Sequence, residues 1–454
     1  MNIKSYCIRE FGFLVSEAQG FTDDSSSQVL APNVVVLPNK AYESLMALQY
    51  SESTRDADIQ PFLKPATYRR KPALQVRNYV GVLQTACGTQ IEVLPKLYNP
   101  SSANSDVSSD EHCREILLKM LRTLRDSPFK NSGRADIRDA KMPLLEVYIS
   151  QFLALTNHLV KRGIRSDYVQ VQKNSKFLKG RLLVSQQIRK NSIHSERFYI
   201  EHTEYQVNRP ANRLIKTALM KVAKLARSNR NQRLARELSF VFEEVPKSHD
   251  VAGDFQKVKI DRGMQHYQEV LAWTKLLLSG LGPTASAGTF NTLSLLYPME
   301  RIFEDYVAHC LHKNMPESLG ADARLKTQVR GEALVNDHNG KSMFRLRPDL
   351  MATNTGDPEW VMDTKWKLIN GNSRAKNYGI SQSDMYQLYA YGHKYLTGDK
   401  KLMLIYPMNE NFEEQLPVFI YEGGFELFVV PFDLMKGELL YSNLLAYEKP
   451  DIEA

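Results

Sequence analysis

Two neighbouring stretches decide how the last third of the chain reads. They are Met343-Phe-Arg-Leu-Arg-Pro-Asp349-Leu-Met351 and Trp360-Val-Met-Asp363-Thr-Lys365-Trp-Lys367, separated by a turn at Gly356-Asp357-Pro358. Each alternates as a strand does. Residues two apart on a strand share a face, so Asp363 and Lys365 point the same way. If the two strands pair, Asp349 lies beside them. Two carboxylates can hold a hard cation through oxygen. Such a cation activates water and offsets charge on phosphoryl oxygens. A neighbouring lysine can orient or deprotonate that water and stabilise the transition state. The pattern therefore points to phosphodiester hydrolysis with Mg²⁺. Asp349 and Asp363 are the metal ligands and Lys365 is the catalytic cation. The competing structural reading is a surface ion pair on a hairpin.

Working outward, the preceding segment places Met299, Ile302, Phe303, Tyr306, Val307, Cys310 and Leu311 on one helical stripe. Glu304 stands at the edge of that stripe and is the candidate third metal ligand. After the strands, Ser381-Gln-Ser-Asp-Met-Tyr-Gln387-Leu-Tyr-Ala-Tyr391 begins as a capped helix. Gln387 and Tyr391, four apart, share a face, and Gln387 is a candidate for orienting the catalytic groups. A helix Glu, Pro-Asp, Asp-Thr-Lys and Gln-Leu-Tyr-Ala-Tyr in this order resemble the PD-(D/E)xK nuclease superfamily, in its RecB-like branch.

The chain has 454 residues, 43% hydrophobic and 24% charged, with a formal charge of +8. That length predicts two to four domains, and the basic balance favours a polyanion partner. Cys7, Cys87, Cys113 and Cys310 form no C-x-x-C pair. Zinc-ribbon and disulfide-framework classes are excluded, and a reducing cytoplasm is expected. No signal peptide and no apolar run long enough for a membrane span is read.

The expected architecture is multidomain α+β. Residues 1–98 read as a β-rich N-terminal domain, with Leu74 to Leu97 a hairpin around Cys87-Gly88-Thr89. Residues 99–111 read as a Ser/Asp-rich linker. Residues 112–290 read as a mainly helical middle region, and 291–454 as an α/β domain of the restriction-endonuclease-like type. Arg209 to Arg236 holds nine Lys/Arg and no acid. Leu214, Ile215, Ala218, Leu219, Val222 and Leu225 form its apolar stripe. Lys221, Lys224, Arg227 and Arg230 are then candidates to meet DNA phosphates or an acidic partner. Asn339-Gly340-Lys341-Ser342 is similar to the end of a P-loop, but Val335 stands where a glycine is needed. Asn339-Gly340 reads better as a tight hairpin turn.

An ordered set of motifs resembles the McrC family. It comprises Leu74-Gln-Val-Arg-Asn-Tyr-Val-Gly-Val-Leu83, Ile91-Glu-Val-Leu-Pro-Lys96, Leu117-Leu-Lys-Met-Leu121 and Leu178-Lys-Gly-Arg-Leu182. Tyr205-Gln-Val-Asn-Arg-Pro-Ala-Asn-Arg-Leu-Ile-Lys216 and Ile302-Phe-Glu-Asp-Tyr-Val307 complete it. The resemblance implies a DNA endonuclease subunit of a phage-defence restriction system. It implies an McrB-like AAA+ GTPase partner that binds the GTP and whose hydrolysis this chain stimulates, docking through the N-terminal part. The substrate implied is double-stranded DNA. Two alternatives stand beside it: a PD-(D/E)xK nuclease acting alone in repair, and a non-enzymatic activator of an AAA+ NTPase.

Overall fold

The computed structural model describes residues 5–21, 33–53, 61–97, 106–124, 142–194, 196–279, 293–314, 324–354, 357–397 and 400–441. The N-terminal part contains β1 (Ser5–Arg9), β2 (Phe13–Ser16), β3 (Val34–Leu37), α1 (Asn39–Ser53), β4 (Leu63–Tyr68), β5 (Lys71–Val76), β6 (Tyr79–Gln84), β7 (Gln90–Leu94) and α2 (Asp106–Leu121). The β-branched run at 33–38 becomes β3, which lies in a sheet of order β3-β2-β5-β4. The expected hairpin is present but shorter than read. β6 and β7 pair antiparallel around Gly88, which has φ 89°, whereas Leu74 belongs to β5 in the other sheet. Leu14, Leu37, Leu45, Phe62, Leu74 and Val93 share one buried cluster, so the two sheets close over a common core.

The linker reading also needs correction. Part of 99–111 lies outside the described residues, but from Asp106 onward the segment is already α2. Its apolar residues Ile116, Leu117, Met120 and Leu121 are buried. The helix is pinned to β7 by a forked pair: Arg114 Nε donates to Glu92 Oε1 at 2.8 Å and Nη2 to Oε2 at 3.1 Å. Both residues are buried. Removing one partner of such a pair strands the other charge away from water. Arg114→Ala should therefore lower folding stability by about 3–5 kcal/mol, read as a fall in the urea midpoint. A midpoint unchanged from the parent chain would show that the pair does not hold α2.

The middle part holds α3 (Leu144–Arg162), β8 (Asp167–Ser175), β9 (Arg181–Leu182), α4 (Val184–Asn191), β10 (Phe198–Gln206), α5 (Pro210–Leu225), α6 (Asn229–Val241), α7 (Val251–Lys257) and α8 (Tyr267–Ser279). The helices match the sequence reading; the three-stranded sheet β8-β10-β9 does not, being long, mostly exposed and poor in apolar signal. The Asn-Arg-Pro-Ala-Asn motif has a structural role. Pro210 starts α5, and buried Asn212 donates to the carbonyls of Arg165 at 3.0 Å and Val207 at 2.7 Å. Tyr267 Oη donates to Asn212 Oδ1 at 3.0 Å. The basic stretch is two helices, broken where Ser228 caps α6.

The C-terminal part contains β11 (Leu293–Pro298), α9 (Met299–Lys313), β12 (Arg324–Thr327), β13 (Ala333–His338), β14 (Lys341–Arg345), β15 (Leu350–Asn354), β16 (Asp357–Thr364), α10 (Gln382–Tyr395), β17 (Lys401–Pro407), β18 (Phe419–Ile420), β19 (Glu426–Asp433) and β20 (Glu438–Leu439). β11 is not a strand of the C-terminal sheet. It pairs antiparallel with β6 and extends the first sheet to β1-β7-β6-β11. Gly81 allows this approach: it has φ 129°, and a Cβ there would collide with the Leu295 carbonyl. A second sheet runs β12-β15-β16-β17-β19-β18, with β16, β17 and β19 mutually parallel and α10 in the β16–β17 crossover. Leu388 and Tyr391 of α10 cluster with Val361, Leu402, Leu427 and Val429. Phe303 and Tyr306 of α9 meet Phe432, of opposite strand parity. The two helices thus cover opposite faces.

By internal contacts the chain forms two compact units. One joins Met1–Lys141 to Leu281–Ala454, and the other is Met142–Gly280. The linear division into four blocks is replaced by one segment inserted into a unit built from both ends. No helix among the described residues is long and apolar enough to cross a membrane.

Candidate active site

The pairing that places the site is β15 against β16, antiparallel, with Leu350 opposite Met362. The stretch 343–351 is therefore not one strand. β14 ends at Arg345, and Leu346–Asp349, with Pro348 inside, leads into β15. Proline there cannot continue a ladder, and the interruption delivers Asp349 to the end of β16. Asp349 Oδ2 accepts from the Thr364 N–H at 2.9 Å and from Thr364 Oγ1 at 2.8 Å.

Asp363 is 1% exposed. Lys365 Nζ lies 2.5 Å from its Oδ2, as the period-two reading requires. That oxygen has no hydrogen bond, so the ion pair is its compensation. The ammonium also donates to Gln387 Oε1 at 3.0 Å. Gln387 Nε2 contacts Tyr391 Oη at 2.6 Å, and that hydroxyl donates to the Arg347 carbonyl at 3.1 Å. One turn of α10 thus fixes the lysine and ties it back to the segment that carries Asp349.

Burial, and next the neighbouring Asp349, push the Asp363 carboxyl up to about 7. Burial also raises Asp349, against the Thr364 hydrogen bonds. For Lys365, burial acts to lower the pKa, but Asp363 and Asp349 outweigh it and hold the ammonium above its usual value. Two neighbouring carboxylates resist joint ionisation unless positive charge joins them. A buried carboxylate oxygen with no hydrogen bond, beside a second carboxylate, suits a hard divalent cation.

Glu304 does not complete a ready-made cage. Its Oε1 is engaged by Gln328 Nε2. Among the described residues no group of three His, Cys, Asp or Glu side chains is placed to hold a metal alone. Asp349 and Glu304 line one cleft, with Glu304 on its wall. Mg²⁺ commonly takes only one or two carboxylates, with water and substrate phosphate filling the rest. The cleft has a volume of about 1300 Å³.

Asp384 was missed in the sequence. It lines this cleft, and its negative charge also raises Asp363. The signal was available: Asp384, Gln387 and Tyr391 stand at i, i+3 and i+7 on α10. Thr364 was missed because its role depends on Asp349 arriving from another strand. Lys221, assigned to an outer cationic face, is turned inward. Its Nζ donates to the Leu277 carbonyl at 2.8 Å, and burial lowers its pKa. Lys224 and Arg230 are exposed, and Arg227 is half-buried. Asn339 and Gly340 have φ 53° and 77° in the turn joining β13 to β14, as a tight hairpin requires.

Residues 74–407 match the family model of the McrBC 5-methylcytosine restriction system component. The chain belongs to the McrBC family. The family match spans both N-terminal sheets in part, the inserted unit, and Asp349, Asp363, Lys365 and Gln387. The McrBC-family fold extends to solved structures. One is the refined half-complex from a tetradecameric assembly of Thermococcus gammatolerans McrB AAA+ hexamers with bound McrC. It is 17% identical, covers 97% of each chain and has a TM-score of 0.64. A second is the cryo-EM structure of the Thermococcus gammatolerans McrBC complex. It is 20% identical over 69% of this chain and 88% of that one, with a TM-score of 0.46. No curated protein matches the chain.

Proposed function

We propose that this McrBC-family chain is the nuclease subunit of a restriction system, cutting DNA when driven by an McrB-like AAA+ GTPase. The carrying observation is half-buried Asp349 beside buried Asp363, with Lys365 held between Asp363 and Gln387. The β15–β16 strands, with α9 and α10 on either face, support a PD-(D/E)xK reading. Asp349 and Asp363 would hold Mg²⁺, with Glu304 contributing from the cleft wall. The bound cation supplies water activation and charge neutralisation at the scissile phosphate. Lys365, half-buried and fixed by Gln387, would hold an ammonium beside the reacting oxygens and can orient the attacking water. Gln387 acts through Lys365, and Thr364 acts by fixing Asp349. GTP belongs to the partner, since Val335 breaks the only P-loop-like run. The solved assembly of McrB AAA+ hexamers with bound McrC supports that partnership.

The test is plasmid cleavage by the purified chain with its McrB-like partner, GTP and Mg²⁺, on methylated DNA. Cutting should require both proteins and stop when EDTA removes the metal. The chain alone should turn over neither GTP nor ATP. Cleavage that persists in EDTA, or nucleotide turnover by the chain alone, would overturn the assignment.

A further inference from the structure

The turn between β1 and β2 is not absorbed by the proposed chemistry. Phe11, at its centre, has φ 62°. A bulky side chain in the left-handed region is uncommon and persists where the surroundings enforce it. Here they do. Gln75 Nε2 donates to the Phe11 carbonyl at 3.1 Å, and Val76 N donates to the Gly12 carbonyl at 2.9 Å. The preceding residue, Glu10, is fully buried, and its Oε2 accepts from Lys96 N at 3.1 Å and from Trp366 Nε1 at 3.0 Å. Trp366 follows Lys365 directly. The N-terminal turn is thus moored one residue from the catalytic lysine.

The strained backbone does not bury the ring. Phe11 is 45% exposed and lines the cleft that holds Asp349 and Lys365. The same cleft is lined by Arg77, Arg330, Arg347 and Lys367, which make no ion pair among the described residues, and by the acidic Glu300, Glu304, Asp305 and Asp384. Arg347 precedes Asp349 by two residues, and Lys367 follows Lys365 by two. The 328–330 and 347–349 segments are joined by backbone hydrogen bonds, Gln328 N to the Asp349 carbonyl at 2.8 Å and Val329 N to the Pro348 carbonyl at 3.2 Å. Arg330 and Arg347 thus stand on joined segments and both line the cleft. Cations along a groove with an exposed aromatic ring match the chemistry of a nucleic-acid strand, phosphates against the former and a base against the latter.

We propose that Phe11 is a base-stacking platform in the substrate cleft, with Arg77, Arg330, Arg347 and Lys367 contacting the phosphates of the same DNA strand. This rests on the nuclease reading and extends it: the N-terminal part contributes to substrate binding as well as to any partner contact. An unpaired base beside the scissile phosphate is the ligand.

The test uses the full chain in EDTA and a single-stranded oligonucleotide carrying 2-aminopurine. Wild type should quench the 2-aminopurine fluorescence. Phe11→Ala and Phe11→Gly should weaken binding by about 5- to 150-fold, lose the quench and keep the salt dependence. Phe11→Trp should restore both. Arg77→Ala and Arg347→Ala should each flatten the logarithmic salt slope by about 0.7. Glycine accepts the left-handed backbone, so Phe11→Gly should melt no lower than wild type, which separates lost stacking from lost folding. Unchanged affinity and quench in Phe11→Gly would overturn the inference. So would a defect confined to assembly with the AAA+ partner, which would make Phe11 a protein contact. If oligonucleotide binding behaves as stated but the wild-type complex never cuts, the stacking site stands and the nuclease reading falls.

Discussion

Asp363→Ala is expected to abolish DNA cleavage by the assembled complex, with the rate falling at least about 10³-fold. The carboxylate stands beside both Asp349 and the Lys365 ammonium, 2.5 Å away. Its removal would take away a proposed metal ligand and the group that places the lysine. A bound metal supplies several kcal/mol of transition-state stabilisation, and about 1.4 kcal/mol is a factor of ten in rate. Folding should not suffer, because alanine removes a buried carboxylate that Asp349 repels. The melting temperature should equal or exceed that of wild type. Asp349→Ala should be equally inactive but less stable, since it strands the buried Thr364 N–H and hydroxyl that Asp349 accepts. Each buried group left unpaired costs about 1–3 kcal/mol. A plasmid-nicking time course and a melting curve on both variants check this. Wild-type cutting by Asp363→Ala would remove it from the site.

Lys365→Met is the second large effect, with cleavage slowed about 10²- to 10⁴-fold. Metal binding should respond in the opposite sense. The ammonium occupies the space beside Asp363 and competes electrostatically with a divalent cation. Taking it away should leave metal affinity unchanged or tighter, measurable by calorimetric titration with Mn²⁺. A merely structural lysine would show neither lost rate nor preserved affinity. Lys365→Arg should not restore full activity, because a planar guanidinium cannot both reach Gln387 Oε1 and reproduce the compact charge beside the carboxylate.

The parts of the site that could be read in the sequence are those fixed by local periodicity. Asp363 and Lys365 meet because strand side chains alternate. Gln387 and Tyr391 meet because helix faces repeat every three to four residues. The hidden parts depend on the partners of a segment. Nothing local to Leu293–Pro298 says that it pairs with Tyr79–Gln84 instead of opening the C-terminal sheet. Nothing local to Lys221 says that its ammonium reaches the Leu277 carbonyl. A charge at a helix surface reads as solvated until the neighbouring helix is known. Asp106–Ser109 has the composition of a linker, yet it is the start of a helix whose later turns are apolar and whose Arg114 meets Glu92. Glu304 was correctly placed at the margin of its stripe, but the competition from Gln328 comes from a different segment.

The pairing of β6 with β11 sets a schedule for synthesis. Gln84 and Leu293 are register partners separated by 209 positions, and the inserted unit lies between them. A ribosome adding about 5–20 residues per second needs roughly 10–40 s to cover that gap. Throughout that interval the apolar strand Tyr-Val-Gly-Val-Leu-Gln is exported with one hydrogen-bonding edge unpaired, a template for other nascent chains. The inserted unit, made of near-neighbour helices and one three-stranded sheet, can fold while it waits. The unit that carries Asp349, Asp363 and Lys365 is finished last, so a truncated product lacks the assembled candidate site.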